Sequence, residues 1–151
     1  MRNLLESSGP FQKVITNAIF PLTIYFSTMK KQMPFDFILN YLPRNLVIQP
    51  AIGMFYIYCH QQIVLIARQT AKNKQYNGLW IATNREDHVS LKAAIPALSD
   101  FVFDKGEGID SAWLLLSEEH DDFERAAAEV CELISKRDKK IGRVTKKSQS
   151  L

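Results

Sequence analysis

Two runs of β-branched and aromatic residues, each of strand length and separated by a short polar break, constrain this chain more than any other feature. Met54-Phe55-Tyr56-Ile57-Tyr58-Cys59 leads through His60-Gln61-Gln62 into Ile63-Val64-Leu65-Ile66-Ala67-Arg68, the pattern of a β-hairpin. Gly78-Leu79-Trp80-Ile81-Ala82-Thr83 supplies a third strand after the polar stretch Thr70–Asn77, a loop long enough to be mobile. In the first strand Phe55, Ile57 and Cys59 point one way and Met54, Tyr56 and Tyr58 the other. Both sets are apolar, so neither face is freely exposed. Tyr56 and Tyr58 read as core or half-buried residues, with a binding or dimer surface as the alternative.

The flanking sequence supplies cover for such a sheet. Met33 opens a helix in which Phe35, Ile38, Leu39 and Leu42 share a face, with Pro34 in its first turn and Pro43 ending it. Leu46-Val47-Ile48 begins an extended segment that Pro50 confines to a sheet edge. Asn84 suits the N-cap of a helix over residues 85–94, with Val89, Leu91 and Ile95 as its apolar contacts. Phe101-Val102-Phe103 reads as a short strand, residues 104–110 as a turn, and Ala112–Leu116 as another strand. The last helix has Asp121 and Glu124 in capping-box positions, and Phe123, Ala126, Ala127, Val130, Leu133 and Ile134 at helical period. The expected fold is α+β: an antiparallel sheet of about five to six short strands packed by N-terminal, middle and C-terminal helices.

At 151 residues the chain fits one domain, and its charge divides it. Residues 1–32 carry four basic and one acidic side chain, residues 33–137 ten and fourteen, and residues 138–151 five and one. The body is therefore acidic, which argues against a nucleic-acid footprint on it. Residues 138–151 are polar and basic and are expected to be a disordered tail. Residues 1–32 are expected to form a poorly structured extension outside a 33–137 domain, with Met29 or Met33 as the functional start. Within it Val14–Met29 is apolar but shorter than the ~20 residues of a spanning helix. A weakly packed helix and a membrane anchor are the alternatives there. Cys59 and Cys131 both fall in apolar patterns and read as buried free thiols of a reducing cytoplasm.

The order of these motifs resembles the N-terminal domain of TfoX/Sxy-type competence regulators. The residues carrying the likeness are Gly53, Ile57-Tyr58 before a two-residue turn, Ile63–Ile66, Gly78–Ile81 leading to the Asn84-capped helix and Ile95-Pro96, and Phe101–Phe103. Trp113 running into Ser117-Glu118-Glu119, with Asp121-Asp122 opening the last helix, completes it over about residues 36–137. The chain departs from the family in reading Pro50-Ala51-Ile52-Gly53 before the hairpin, where only the glycine is kept. It also has His60-Gln61 in place of an Asp-Gly turn, and an insertion at Lys72–Lys74. The resemblance implies a secretion-chaperone-like α+β domain with a regulatory role, no cofactor and no metal.

Chemistry-bearing constellations are few. His60, His88 and His120 lie in separate elements with no His/Cys pair at ligand spacing, and no phosphate-cradling glycine loop occurs. Arg68, Arg85 and His88, with Trp80, surround the ends of the central strands and would form a cationic ligand rim if close in space. Lys139, Lys140, Arg143, Lys146 and Lys147 would give weak, salt-sensitive nucleic-acid binding. The primary expectation is a non-enzymatic regulatory domain that contacts a protein partner, with a homodimer possible and membrane association not expected. A small-molecule site or enzyme at the Arg68/Arg85/His88 region is one alternative, and nucleic-acid binding through the tail is the other.

Overall fold

The computed structural model describes residues 33–101 and 111–151. The expectations for residues 1–32, for Val102-Phe103 and for the turn at 104–110 lie outside the described residues. Phe35–Leu151 form one compact unit.

Six strands form one antiparallel sheet: β1 (Leu46–Ala51), β2 (Met54–Cys59), β3 (Gln62–Arg68), β4 (Gly78–Ala82), β5 (Ser99–Asp100) and β6 (Trp113–Ser117). Their spatial order is β1-β2-β3-β4-β6-β5, so β1, with Pro50 in it, is an edge strand as the proline requires. Among the described residues three α-helices accompany the sheet: α1 (His88–Ala94), α2 (Phe123–Ser135) and α3 (Lys146–Gln149). The α+β class and the antiparallel sheet are those expected from the alternating strand runs.

Register sorts the side chains onto two faces. Phe55 opposite Ala67, Ile57 opposite Leu65, Leu65 opposite Ile81 and Ile81 opposite Leu114 run across the sheet as one fully apolar row pair. Helix α2 buries Phe123, Ala126, Ala127, Val130, Cys131 and Ile134 and packs against β6. Its small residues let the backbone come close, which is the use of Ala126-Ala127 there. The other face carries Tyr58, Ile63, Ile66 and Ala82, with Met54, Tyr56, Trp80 and Trp113 half-buried against them. Trp80 is clasped by aromatic neighbours, its ring 4.7 Å from Phe101 and 6.4 Å from Trp113, and its Nε1 donates to the Tyr76 carbonyl at 2.9 Å. The large strand aromatics are thus packing residues.

Several local expectations are corrected. The helix expected from Met33 is a short 3₁₀ turn at Asp36–Asn40, preceded by Phe35 in a left-handed conformation. Phe35 and Phe37 both lay their rings edge-on to Phe123, at 4.9 and 6.1 Å. Residues two apart cannot share a face of an α-helix, so this contact is incompatible with one. The middle helix begins as a 3₁₀ turn at Arg85–Asp87, and its Val89 is 78 % exposed rather than buried. Helix α2 takes Asp122, not Asp121, as its N-cap residue, and no side chain caps it. The Asp122 carboxylate is turned instead to Arg125, 2.8 Å away. The extended pair at this end of the sheet is Ser99–Asp100, just before Phe101.

The largest correction concerns residues 138–151. They are an ordered strap, and the domain does not end at 137. Beyond Ala82, β3 outruns β4, and the strap occupies the vacated place beside it. The Gly142 amide donates to the Ala82 carbonyl (2.8 Å), and Ile63 and Arg143 exchange backbone hydrogen bonds (2.9 and 3.0 Å). Ile141 and Ser148 are buried. Thr145 and Ser148 form a reciprocal capping box that starts α3. A polar composition does not preclude order when backbone groups find partners and one apolar residue finds the core.

Candidate functional site

The proposed ligand rim is not assembled. Arg68 faces Gly78 at the start of β4, whereas Arg85 and His88 follow the far end of that strand. Five residues of strand separate them by roughly 13 Å. The Arg68 guanidinium donates to the carbonyls of Lys72 and Asn73 and to Asn77 Oδ1, and lies 5.8 Å over the Tyr76 ring. Buried Asn77 completes the clasp, accepting from the Thr70 amide and donating to the Thr70 carbonyl. Arg68 therefore holds the 70–77 loop in place, and the loop is not the mobile one its polarity suggested. Trp80 joins this cluster through Tyr76. His88 sits beside Asp100, which also pairs with Lys92 at 2.9 Å, and its Nε2 is buried without a hydrogen-bond partner.

The basic residues of the strap divide into two groups. Lys140 and Arg143 are tied in: the Lys140 carbonyl accepts from the buried Thr83 hydroxyl at 2.6 Å, and its amide donates to Asp138. Lys139, Lys146 and Lys147 are exposed. From Lys136 to the end of the chain there are seven basic side chains and one acidic, a net +6. From Phe35 to Ser135 there are eight basic and fourteen acidic, a net −6. Charge within this unit is segregated onto an ordered segment.

A cleft of about 410 Å³ lies where the β2–β3 turn, the end of α2 and the start of the strap meet. Three non-glycine residues there have left-handed backbones: His60 (φ 52°), Gln61 (φ 61°) and Arg137 (φ 59°). His60 and Gln61 form the two-residue hairpin turn with the pair of positive φ angles that a type I′ turn requires, although neither is the Asn or Gly that favours it. Arg137 closes α2 where glycine is usual: its amide donates to the Ile134 carbonyl, and that of Asp138 to the Leu133 carbonyl, a Schellman arrangement. The Arg137 guanidinium touches His60 Nδ1 at 2.6 Å. An arginine N–H only donates, so Nδ1 accepts and the imidazole proton sits on Nε2. The β2–β3 register shift at Ile57/Tyr58 leaves Val64 without a partner opposite it on β2, and Val64 lines the cleft. None of the rim residues expected from sequence lines it, but Lys139 does.

Cys59 also lines the cleft, and Cys131 is buried in α2; both are free thiols. Burial pushes the Cys59 thiol up to about 11. Burial first, and then neighbouring Cys59, push Cys131 to about 12. Unfolded thiols ionise near 9.0, so the stabilisation from keeping these protons is complete below that pH and is lost as pH rises through the folded values. The urea midpoint should accordingly fall between pH 9 and pH 11. At about pH 8 an alkylating reagent should modify neither cysteine until the chain is unfolded.

Among the described residues no group of three His, Cys, Asp or Glu is placed to hold a metal ion, and no helix is long and apolar enough to cross a membrane. No protein-family model matches the chain, and no curated protein or solved structure matches it.

Proposed function

We propose that this chain is a non-enzymatic interaction domain whose basic strap docks an acidic segment of a protein partner. The observation that carries the reading is the charge segregation: a net +6 on the ordered residues 136–151, against −6 on the rest of the unit. Cations on a segment pinned to the sheet lose less entropy on binding than cations on a free tail. The kinship with TfoX-type regulators belongs to the same proposal, since a domain acting by contact suits a regulatory role. So does residence in a reducing compartment such as the cytoplasm, where Cys59 and Cys131 stay thiols.

An acidic protein fits the strap better than a nucleic acid. The strap has no aromatic residue on which a base could stack, and its single helix has four residues, too short to read a groove.

Deleting the strap is a poor test because it carries packing. The informative variant is Lys146→Glu/Lys147→Glu, which reverses two exposed charges. The full chain should bind an immobilised glutamate-rich peptide with salt-dependent affinity, and the double variant should lose at least severalfold of it. A DNA duplex bound more tightly than the peptide would transfer the function to nucleic acid. Absence of binding to either would overturn the role of the strap.

A further inference from the structure

The cleft at the hairpin turn has a chemistry of its own, independent of what the outer face of the strap binds. Its floor is apolar, made by Val64, Ile134, Ile141 and the protonated Cys59. Its rim is a set of donors: the Arg137 guanidinium, the Lys139 ammonium and the Nε2–H of His60. The one carboxylate lining it, Asp138, is engaged from the strap side, accepting from the Lys140 amide at 2.9 Å with the Lys140 ammonium at 3.8 Å. The rim is therefore left with an excess of positive charge and unspent N–H groups above a greasy base.

The backbone around it is also held at a cost. Left-handed conformations at non-glycine residues are each unfavourable by about 1 kcal/mol. Asn or Gly at these positions would remove that cost without disturbing the turn or the helix end. Strain that persists where a cheaper residue would serve is a mark of functional sites. Here the strained residues His60 and Arg137 are two of the three donors.

We infer that this cleft binds a small amphipathic oxyanion: a carboxylate or phosphate group held by Arg137, Lys139 and His60, carried on an apolar body that lies along Val64, Ile134 and Ile141. A guanidinium in a fixed position is suited to the planar or tetrahedral oxygens of such a group, and the volume is that of small-ligand sites. Hexanoate and hexyl phosphate are the probes, and their relative affinities tell which oxyanion is preferred. Hexanol tests the need for charge, and inorganic phosphate tests the need for the apolar body.

Titration calorimetry on the full chain should give saturable 1:1 binding of at least one of the two six-carbon anions. Hexanol and inorganic phosphate should each bind at least about tenfold more weakly. The decisive variants relax the backbone while removing a donor. Arg137→Gly should hold or raise the melting midpoint, because glycine is the preferred residue at that helix end, and yet weaken anion binding at least about tenfold. His60→Asn, suited to the turn, should weaken it severalfold. A folded Arg137→Gly or His60→Asn protein that binds as the parent does would overturn the site. So would hexanol or inorganic phosphate matching the six-carbon anions, or no saturable binding of either of them. The Lys146→Glu/Lys147→Glu variant leaves the cleft lining intact and should bind each anion as the parent does, so failure of the strap reading and failure of this one are distinguishable.

Discussion

Gly78→Ala should remove a large part of this domain's stability, although it adds a single methyl group. Gly78 opens β4, between Arg68 of β3 and Ser117 of β6, at φ +135°. A Cβ there would stand 2.0 Å from the Leu116 carbonyl oxygen and 2.8 Å from the Glu118 nitrogen. Both are backbone atoms, so no rotamer change relieves the overlap. β4 would have to withdraw from β6 where the Glu118 amide donates to the Asn77 carbonyl at 3.0 Å. Asn77 in turn anchors Arg68 and Thr70, so the loop clasp loosens together with the ladder. A clash and a broken buried network together cost about 3–5 kcal/mol, against a total stability of about 5–15 kcal/mol for a domain of this kind. Urea denaturation followed by circular dichroism should show the midpoint collapse. Ile52→Ser, at a residue 99 % exposed in the β1–β2 turn, should leave it where it was. A Gly78→Ala protein within about 1 kcal/mol of the parent would mean that the close approach of β4 to β6 is wrong.

Gly78 also shows what could be read from the chain unaided and what could not. Its place at the head of a strand was plain from Leu79-Trp80-Ile81-Ala82 behind it, because bulky alternation reports the sheet directly. That its missing side chain makes room for β6 depends on a strand more than thirty residues away, which periodicity does not report. The cleft was illegible for a related reason. His60 and Arg137 are 77 positions apart, and nothing about a histidine or an arginine announces a left-handed backbone. The residues that did stand out as a charged group, Arg68, Arg85 and His88, were joined by sequence proximity to strand ends. The strand between them keeps them apart. Arg68 looked like a binding residue because its charge was visible and the carbonyls it satisfies were not. The strap is hidden by its composition: five cations in fourteen residues suggest a solvated tail. Ile141 is the apolar residue of the strap that the core takes in, but Val144 in the same segment is exposed, so an apolar residue among lysines does not by itself announce burial.

Ending the chain at Arg137 should for this reason destabilise the domain by about 3–5 kcal/mol, where removal of a disordered tail would do nothing. The truncation uncovers the part of the core that Ile141 closes. It strips three backbone hydrogen bonds from Ile63 and Ala82. It also takes from the buried Thr83 hydroxyl its short bond to the Lys140 carbonyl and leaves it the long one, 3.5 Å, to the Asn84 carbonyl. Loss of a buried hydrogen bond is costly in its own right, about 1–3 kcal/mol. The exposed start of β3 would become an unpaired edge, so the truncated chain should also associate at high concentration. Two measurements separate packing from charge. Ile141→Ser keeps every backbone bond and all the cations, and should by itself reproduce a substantial part of the loss. Lys139→Glu/Lys146→Glu/Lys147→Glu alters the charge alone and should melt close to the parent. Hydrogen exchange gives the same distinction without mutation: the Ile63, Gly142 and Arg143 amides should be protected together in the full chain, since they close one small ladder. Exchange of Gly142 and Arg143 at the rate of a free peptide would return residues 138–151 to a tail, and the anion cleft would lose one of its walls.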